Sequence, residues 1–172
     1  MDLNSMVVLT FEELDRDLRN AMEGLTKKEL EWRPSDETNS IGFIFWHMNR
    51  AEDLWVNEFA RKAPHVFVRD GWSKKWGIPG DQTGARYGKA ELSAFVLPPM
   101  KEVWSYKEAV RAQSLAYVRD LKAGDYDVMP KTDNPRRHGY TVGRMWTHLF
   151  CEIGEHVGHI RYLRGLQRGL NK

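Results

Sequence analysis

Glu152, His156 and His159 fall on one side of what reads as a single helix. Successive helical residues turn by about 100°, so residues four apart share a face. Met145, Leu149, Ile160 and Leu163 mark an apolar stripe on the same stretch. Glu152, His156 and, less centrally, His159 are expected inside it. Ionisable side chains in an apolar seam are costly unless something compensates them. A divalent metal compensates both groups at once, because i, i+4 side chains can reach one ion, as in H-E-x-x-H zinc helices.

A third ligand is available at His47, on the edge of the apolar face of an earlier helix, between Ile44 and Leu54. A lone histidine there is usually a satisfied core residue, but facing Glu152 and His156 it completes a set of three. Three protein ligands with a fourth position left for water or substrate is the plan of catalytic zinc sites. Zinc, nickel and ferrous iron all accept imidazole with carboxylate, so the residue types leave the metal open. A di-iron centre requires Glu-x-x-His twice, and no glutamate here has a histidine three residues later. His148 lies about 60° off the face and is expected to be peripheral. Cys151 points about 100° away from Glu152 and is expected to be buried and inert. Gly154 and Gly158 each weaken a helix by about 1 kcal/mol relative to alanine, and close approach of a neighbouring helix is the expected return.

Four long helices are needed to bring these residues together. Residues 4–24 read as a first helix, with Val7, Phe11, Leu14, Leu18, Ala21 and, just past its end, Leu25 in alternating steps of four and three, the seam of a bundle helix. Thr26 to Glu29 matches a capping box, and Arg33-Pro34 opens a loop ending at the cap candidates Asn39 and Ser40. A second helix is expected over about 40–61, a third over 101–122, and a fourth from the N-cap Thr141 to about Leu166. Between the second and third, residues 62–99 lose helical periodicity and are rich in Gly and Pro. So long a connection inside a compact domain is usually functional or poorly ordered, and in a bundle it is a crossover. The expectation is an all-α four-helix bundle with a long crossover between helices 2 and 3, forming one domain over 1–172. Arg136-Arg137-His138, in the loop before the fourth helix, could meet an anionic ligand.

Composition narrows the function. A net charge of +2 with interspersed signs gives no footprint for nucleic acid. No apolar run approaches the roughly 20 residues of a membrane span, and the N-terminus lacks the basic start of a signal peptide. The single cysteine excludes an intrachain disulfide and suits a reducing cytoplasm.

Two stretches carry a family resemblance over nearly the whole chain. One is Leu25-Thr26-Lys27-Lys28-Glu29-Leu30-Glu31-Trp32-Arg33-Pro34, followed by Asn39-Ser40-Ile41-Gly42 and Trp46-His47. The other is Glu152-x-x-x-His156-x-Gly158-His159-Ile160 with Leu163-Arg164. The sequence resembles the DinB/YfiT-like superfamily of metal-binding four-helix bundles, which includes bacillithiol and mycothiol S-transferases and mycothiol-dependent maleylpyruvate isomerase. The resemblance implies that His47 and His156 are metal ligands. Glu152 stands where the family commonly has the first histidine of a His-x-x-x-His pair, and is similar to the isomerase branch, where a glutamate ligates. His159, Glu155 and Arg164 are left to supporting or pocket roles, Arg164 matching a terminal Leu-x-Arg that could also be structural. The resemblance further implies a homodimer, for which Trp104 and Trp146 are candidate face residues, and a low-molecular-weight thiol cosubstrate acting on a small-molecule electrophile. A thiol S-transferase is thus the expected activity. A metal-dependent hydrolase, or a non-catalytic metal-binding stress or damage-response protein, is the alternative.

Overall fold

Apolar faces at helical spacing, three of them opened by a capping side chain, produce four long helices in the computed structural model, which describes residues 1–169. The last three residues of the expected 1–172 domain lie outside the described residues. The helices in chain order are α1 (Leu3–Met22), α2 (Lys27–Glu31), α3 (Ile41–Asp53), α4 (Val66–Arg69), α5 (Trp72–Trp76), α6 (Lys89–Ala94), α7 (Met100–Asp120) and α8 (Val142–Arg168). At α1, α3 and α8 a side chain meets an N-terminal N–H group, as orphan donors require. Asp2 accepts from Ser5 N at 2.7 Å, Ser40 from Phe43 N at 3.2 Å and Thr141 from Arg144 N at 3.1 Å. The Thr26/Glu29 capping box forms as expected.

The long helices α1, α3, α7 and α8 make the bundle, with α1 and α3 each packed against both α7 and α8. The chain is all-helical among the described residues, and the crossover between α3 and α7 carries three short helices. Among the described residues no helix is long and apolar enough to cross a membrane. Trp146 is a core residue at 2% exposure, in edge contact with Phe11 at 5.8 Å, and so is no candidate for a dimer face. Trp104 is half-buried against Phe45 at a ring distance of 4.5 Å.

Helix α3 is buried on nearly every side, its polar residues included. It continues as a π-helical segment, Leu54–Ala60, whose wider i→i+5 bonding shifts the register of the side chains beyond Asp53. Burial on all sides forces every charge on this helix to find a partner. Two clusters result. Glu52, at 1% exposure, receives both arms of Arg111 at 2.8 Å and Ser114 Oγ at 2.7 Å. Arg111 also donates to Asp15 at 2.9 Å, and Lys107 pairs with the other Asp15 oxygen. Burial opposes the charge of Arg111, yet Glu52 and Asp15 raise its pKa. Lys107 is pushed down, first by burial and then by Arg111, against the pull of Asp15. The second cluster joins Arg50, Asp53 and Tyr106, all fully buried, and ties the crossover to the bundle.

Candidate metal centre

The buried face of α8 runs through Val142, Met145, Leu149, Ile153, Val157, Ile160 and Leu163. Ile153 and Val157 shift its centre, so Glu152 and His156 occupy one flank of the stripe and not its middle. Their side chains keep 24% and 16% of their accessible surface. His47 reaches them from α3, which packs directly on α8. One ligand atom from each of His47, Glu152 and His156 fits within a 4.8 Å cluster.

The pairwise geometry says what belongs between them. Glu152 Oε1 lies 3.5 Å from His47 Nε2 and 3.7 Å from His156 Nε2. These separations are too long for good hydrogen bonds. His156 Nε2 is buried and has no hydrogen-bond partner. On His47, Nδ1 meets the Thr83 carbonyl at 2.6 Å. A carbonyl only accepts, so Nδ1 carries the proton and the Nε2 lone pair is directed at the cluster. His156 and His47 also hold the Glu152 carboxyl far below the usual carboxylate range, against its partial burial. A carboxylate oxygen and two imidazole nitrogens converging at these distances fit a divalent cation. His47, Glu152 and His156 therefore form a group able to hold a divalent metal.

His148 is closer than its helical angle suggests. Its Nε2 is 3.4 Å from Glu152 Oε2, the oxygen turned away from the other two histidines. It packs edge-on against Trp55 at 4.9 Å and Tyr140 at 5.7 Å. The i, i+4, i+8 series His148, Glu152, His156 is the sequence signal that marks it. His159 is exposed, with Nδ1 3.4 Å from His156 Nδ1, on the outer side of that ring. Glu155 is exposed, and so is Cys151, contrary to the burial expected of it. Arg164 donates to the carbonyls of Ala21 and Glu23, which places it at the C-terminal end of α1. A Cβ on Gly154 would meet Leu14 at an ordinary 3.8 Å, while Gly158 has nothing within 4 Å and admits no close helix.

His47, Glu152 and His148 line a cavity of about 680 Å³. One wall is the π-helical segment with Leu54, Trp55 and Glu58; the others are residues 80–85 of the crossover and the 134–140 loop. Within that loop Arg137 is committed to structure, donating to Glu58 at 2.9 Å beneath the Trp55 ring. Arg136 borders the cavity and is exposed.

His65 borders the same cavity, half-buried, with Nδ1 3.4 Å from Arg50 Nη1. Burial, followed by the Arg50 charge, lowers its pKa from the ordinary 6.5. Below that value the unfolded chain binds more protons at this site than the folded one. The stabilisation is thus complete above 6.5 and is lost as pH falls through the depressed folded value. His65→Asn, which keeps an acceptor for Arg50, is expected to flatten the fall in urea midpoint between about pH 7 and pH 5.5. An unchanged slope would remove His65 from the account.

A helical bundle with a two-histidine, one-carboxylate group beside a cavity that His47 and Glu152 line defines the class of protein. The sequence profile of the DinB superfamily matches residues 10–160, and the chain belongs to that superfamily. Among curated proteins nothing matches the sequence. The fold is similar to the crystal structure of a conserved protein from Enterococcus faecalis, with a TM-score of 0.82 at 17% identity, covering 96% of this chain and 97% of that one. At that identity the likeness speaks for the fold alone.

Proposed function

We propose that the chain holds one divalent transition metal through His47 Nε2, Glu152 Oε1 and His156 Nε2, and serves as a thiol S-transferase on a small-molecule electrophile. The observation that carries this reading is the buried His156 Nε2, without a hydrogen-bond partner and 3.7 Å from Glu152 Oε1, beside a cavity that His47 and Glu152 line. Zinc, nickel or ferrous iron suits this mixed nitrogen and oxygen set. When bound, such an ion lowers the pKa of a thiol so that the thiolate nucleophile is available at neutral pH.

The chain's own residues do the rest. Trp55 and Tyr140 offer aromatic walls that exclude water from one side of the cavity and orient an organic substrate. His148 Nε2 stands 3.4 Å from the outer oxygen of Glu152, and the inner oxygen faces the two imidazoles. Glu155, on the exposed side of α8, is not placed to serve as a general base. That favours transfer of a thiol over hydrolysis, which would need a proton acceptor for water. A reducing cytoplasm, expected from the lone cysteine, keeps such a cosubstrate in its thiol form.

The test is single-turnover transfer to a chromogenic electrophile by metal-loaded protein, screened across low-molecular-weight thiols and against water alone. Thiol-dependent adduct formation that disappears on chelation is expected. Metal retention with hydrolysis of ester probes and no adduct would replace transferase by hydrolase; metal retention with neither would favour a non-catalytic binder.

A further inference from the structure

We infer that Arg50 is a positioning residue for the ligand His47, acting through residues 80–84 of the crossover. The inference rests on the metal reading for its purpose, though the contacts that support it do not involve a metal.

The carbonyl that fixes the His47 tautomer belongs to Thr83, 36 residues further along the chain and on an irregular stretch. Such a segment needs an anchor if its carbonyl is to stay within 2.6 Å of Nδ1. Arg50, one helical turn after His47, provides it. Its Nη2 donates to Gly80 O at 2.8 Å and its Nε to Gln82 O at 3.2 Å. The planar fork of a guanidinium suits two carbonyls of one segment; a lysine offers a point charge and no fork.

The fork is itself immobilised. Arg50 is fully buried, 4.0 Å over the Phe67 ring, with Nη1 3.2 Å from Tyr106 Oη and 3.5 Å from Asp53 Oδ2. Tyr106 donates to the same Asp53 oxygen at 2.8 Å, and Asp53 accepts the backbone N–H groups of Val66 and Phe67 at 2.9 Å each. One buried ion pair thus grips both ends of the α4–α5 part of the crossover. Beyond Thr83 the backbone passes against the ligand ring itself. Gly84 has φ +83°, and a Cβ there would lie 2.8 Å from Phe43 and Trp46 ring atoms and 3.3 Å from His47 Nδ1. Only glycine brings the chain this close. The sequence from the core outward is Asp53, Arg50, the Gly80 and Gln82 carbonyls, the Thr83 carbonyl, and His47 Nδ1–H. Hydrogen bonds of that last kind set the tautomer and orientation of ligating histidines.

Two variants address the two ends of this chain of contacts. Arg50→Lys keeps the charge and loses the fork. Gly84→Ala leaves the buried ion pair intact and pushes the segment off His47. Imidazole 15N NMR of the metal-free proteins reads the His47 tautomer directly, and cobalt(II) titration reads affinity together with the visible d–d spectrum. Wild type is expected to show His47 protonated at Nδ1. Both variants are expected to lose that preference, to bind cobalt about 10–100-fold more weakly, and to show an altered d–d band. If Arg50→Lys fails to fold, Gly84→Ala decides. A folded variant with the wild-type tautomer and an affinity within about 3-fold overturns the inference, since the outer contacts of metal ligands are worth more than that. A wild type that takes up no cobalt but holds the Nδ1–H form, lost in Gly84→Ala, would end the metal reading and leave the clamp standing.

Discussion

Purified His156→Ala is expected to contain essentially no transition metal where the native chain contains close to one ion per protein, read by elemental analysis. Outer contacts of ligands are worth about 10–100-fold in affinity, and removal of one of only three ligating side chains should exceed that. His47→Ala should behave alike, because its Nε2 and that of His156 flank the same Glu152 oxygen at 3.5 and 3.7 Å. His148→Ala is the internal control. Of the three ligands it meets Glu152 alone, at Oε2 and 3.4 Å, so its effect should stay within the range of an outer contact. Metal binding to the folded state also adds stability by mass action, about 2.7 kcal/mol at a free concentration 100 times Kd. For a chain of this size that is a rise in Tm of roughly 5–11 °C, absent in both alanine variants. Retention of full metal by His156→Ala would refute the three-ligand site; a native protein that neither contains nor takes up metal would refute the centre altogether.

The bundle was legible because it is written in local terms. Seams at alternating steps of three and four, Thr26 with Glu29, Ser40 and Thr141 each produce the element they signal. Helical angles put Glu152 and His156 on one face and His47 at the edge of another; joining the two took the rule that bundle metal sites are built from facing helices, together with the family resemblance. Two features lay beyond such reasoning. Glu152 and His156 were expected in mid-stripe because the angles were taken from four apolar residues, without Ile153 and Val157, whose burial recentres the face of α8. The contribution of Thr83 rests on a backbone carbonyl, which no residue type announces, and on a crossover whose path is set by tertiary contacts to Arg50. His148 shows the intermediate case: its angle reads as peripheral, yet imidazole reach and the i+4 relation to Glu152 bring it in. Angles describe Cβ directions, and a long side chain at the edge of a face can still enter the site.

Glu52→Ala is expected to lower the unfolding free energy by about 3–5 kcal/mol, the range for a buried charge stripped of its partner. The argument is one of charge balance. Lys107, Arg111, Asp15 and Glu52 make a cluster of two cations and two anions, with Glu52, Lys107 and Arg111 at 1%, 2% and 8% exposure. Removing Glu52 leaves one surplus positive charge in the interior, an Arg111 fork without its bidentate acceptor, and a Ser114 hydroxyl that falls back on the Val110 carbonyl at 3.3 Å. At roughly 2–4 °C per kcal/mol the loss should lower Tm by about 6–20 °C. The double variant Glu52→Leu with Arg111→Met removes one charge of each sign and leaves Lys107 paired with Asp15. Apolar replacement of a buried ion pair is often neutral or stabilising, so the double variant is expected to recover most of the loss, measured as urea midpoints at constant slope. A single variant costing under about 1 kcal/mol would place Glu52 among pairs that water already screens. A double variant no better than the single would instead mean that the pair itself, by joining α1, α7 and α3 through Asp15, Arg111 and Glu52, fixes how the helices register; the metal affinity of the double variant, whose His47 sits on the same α3, would then fall with it.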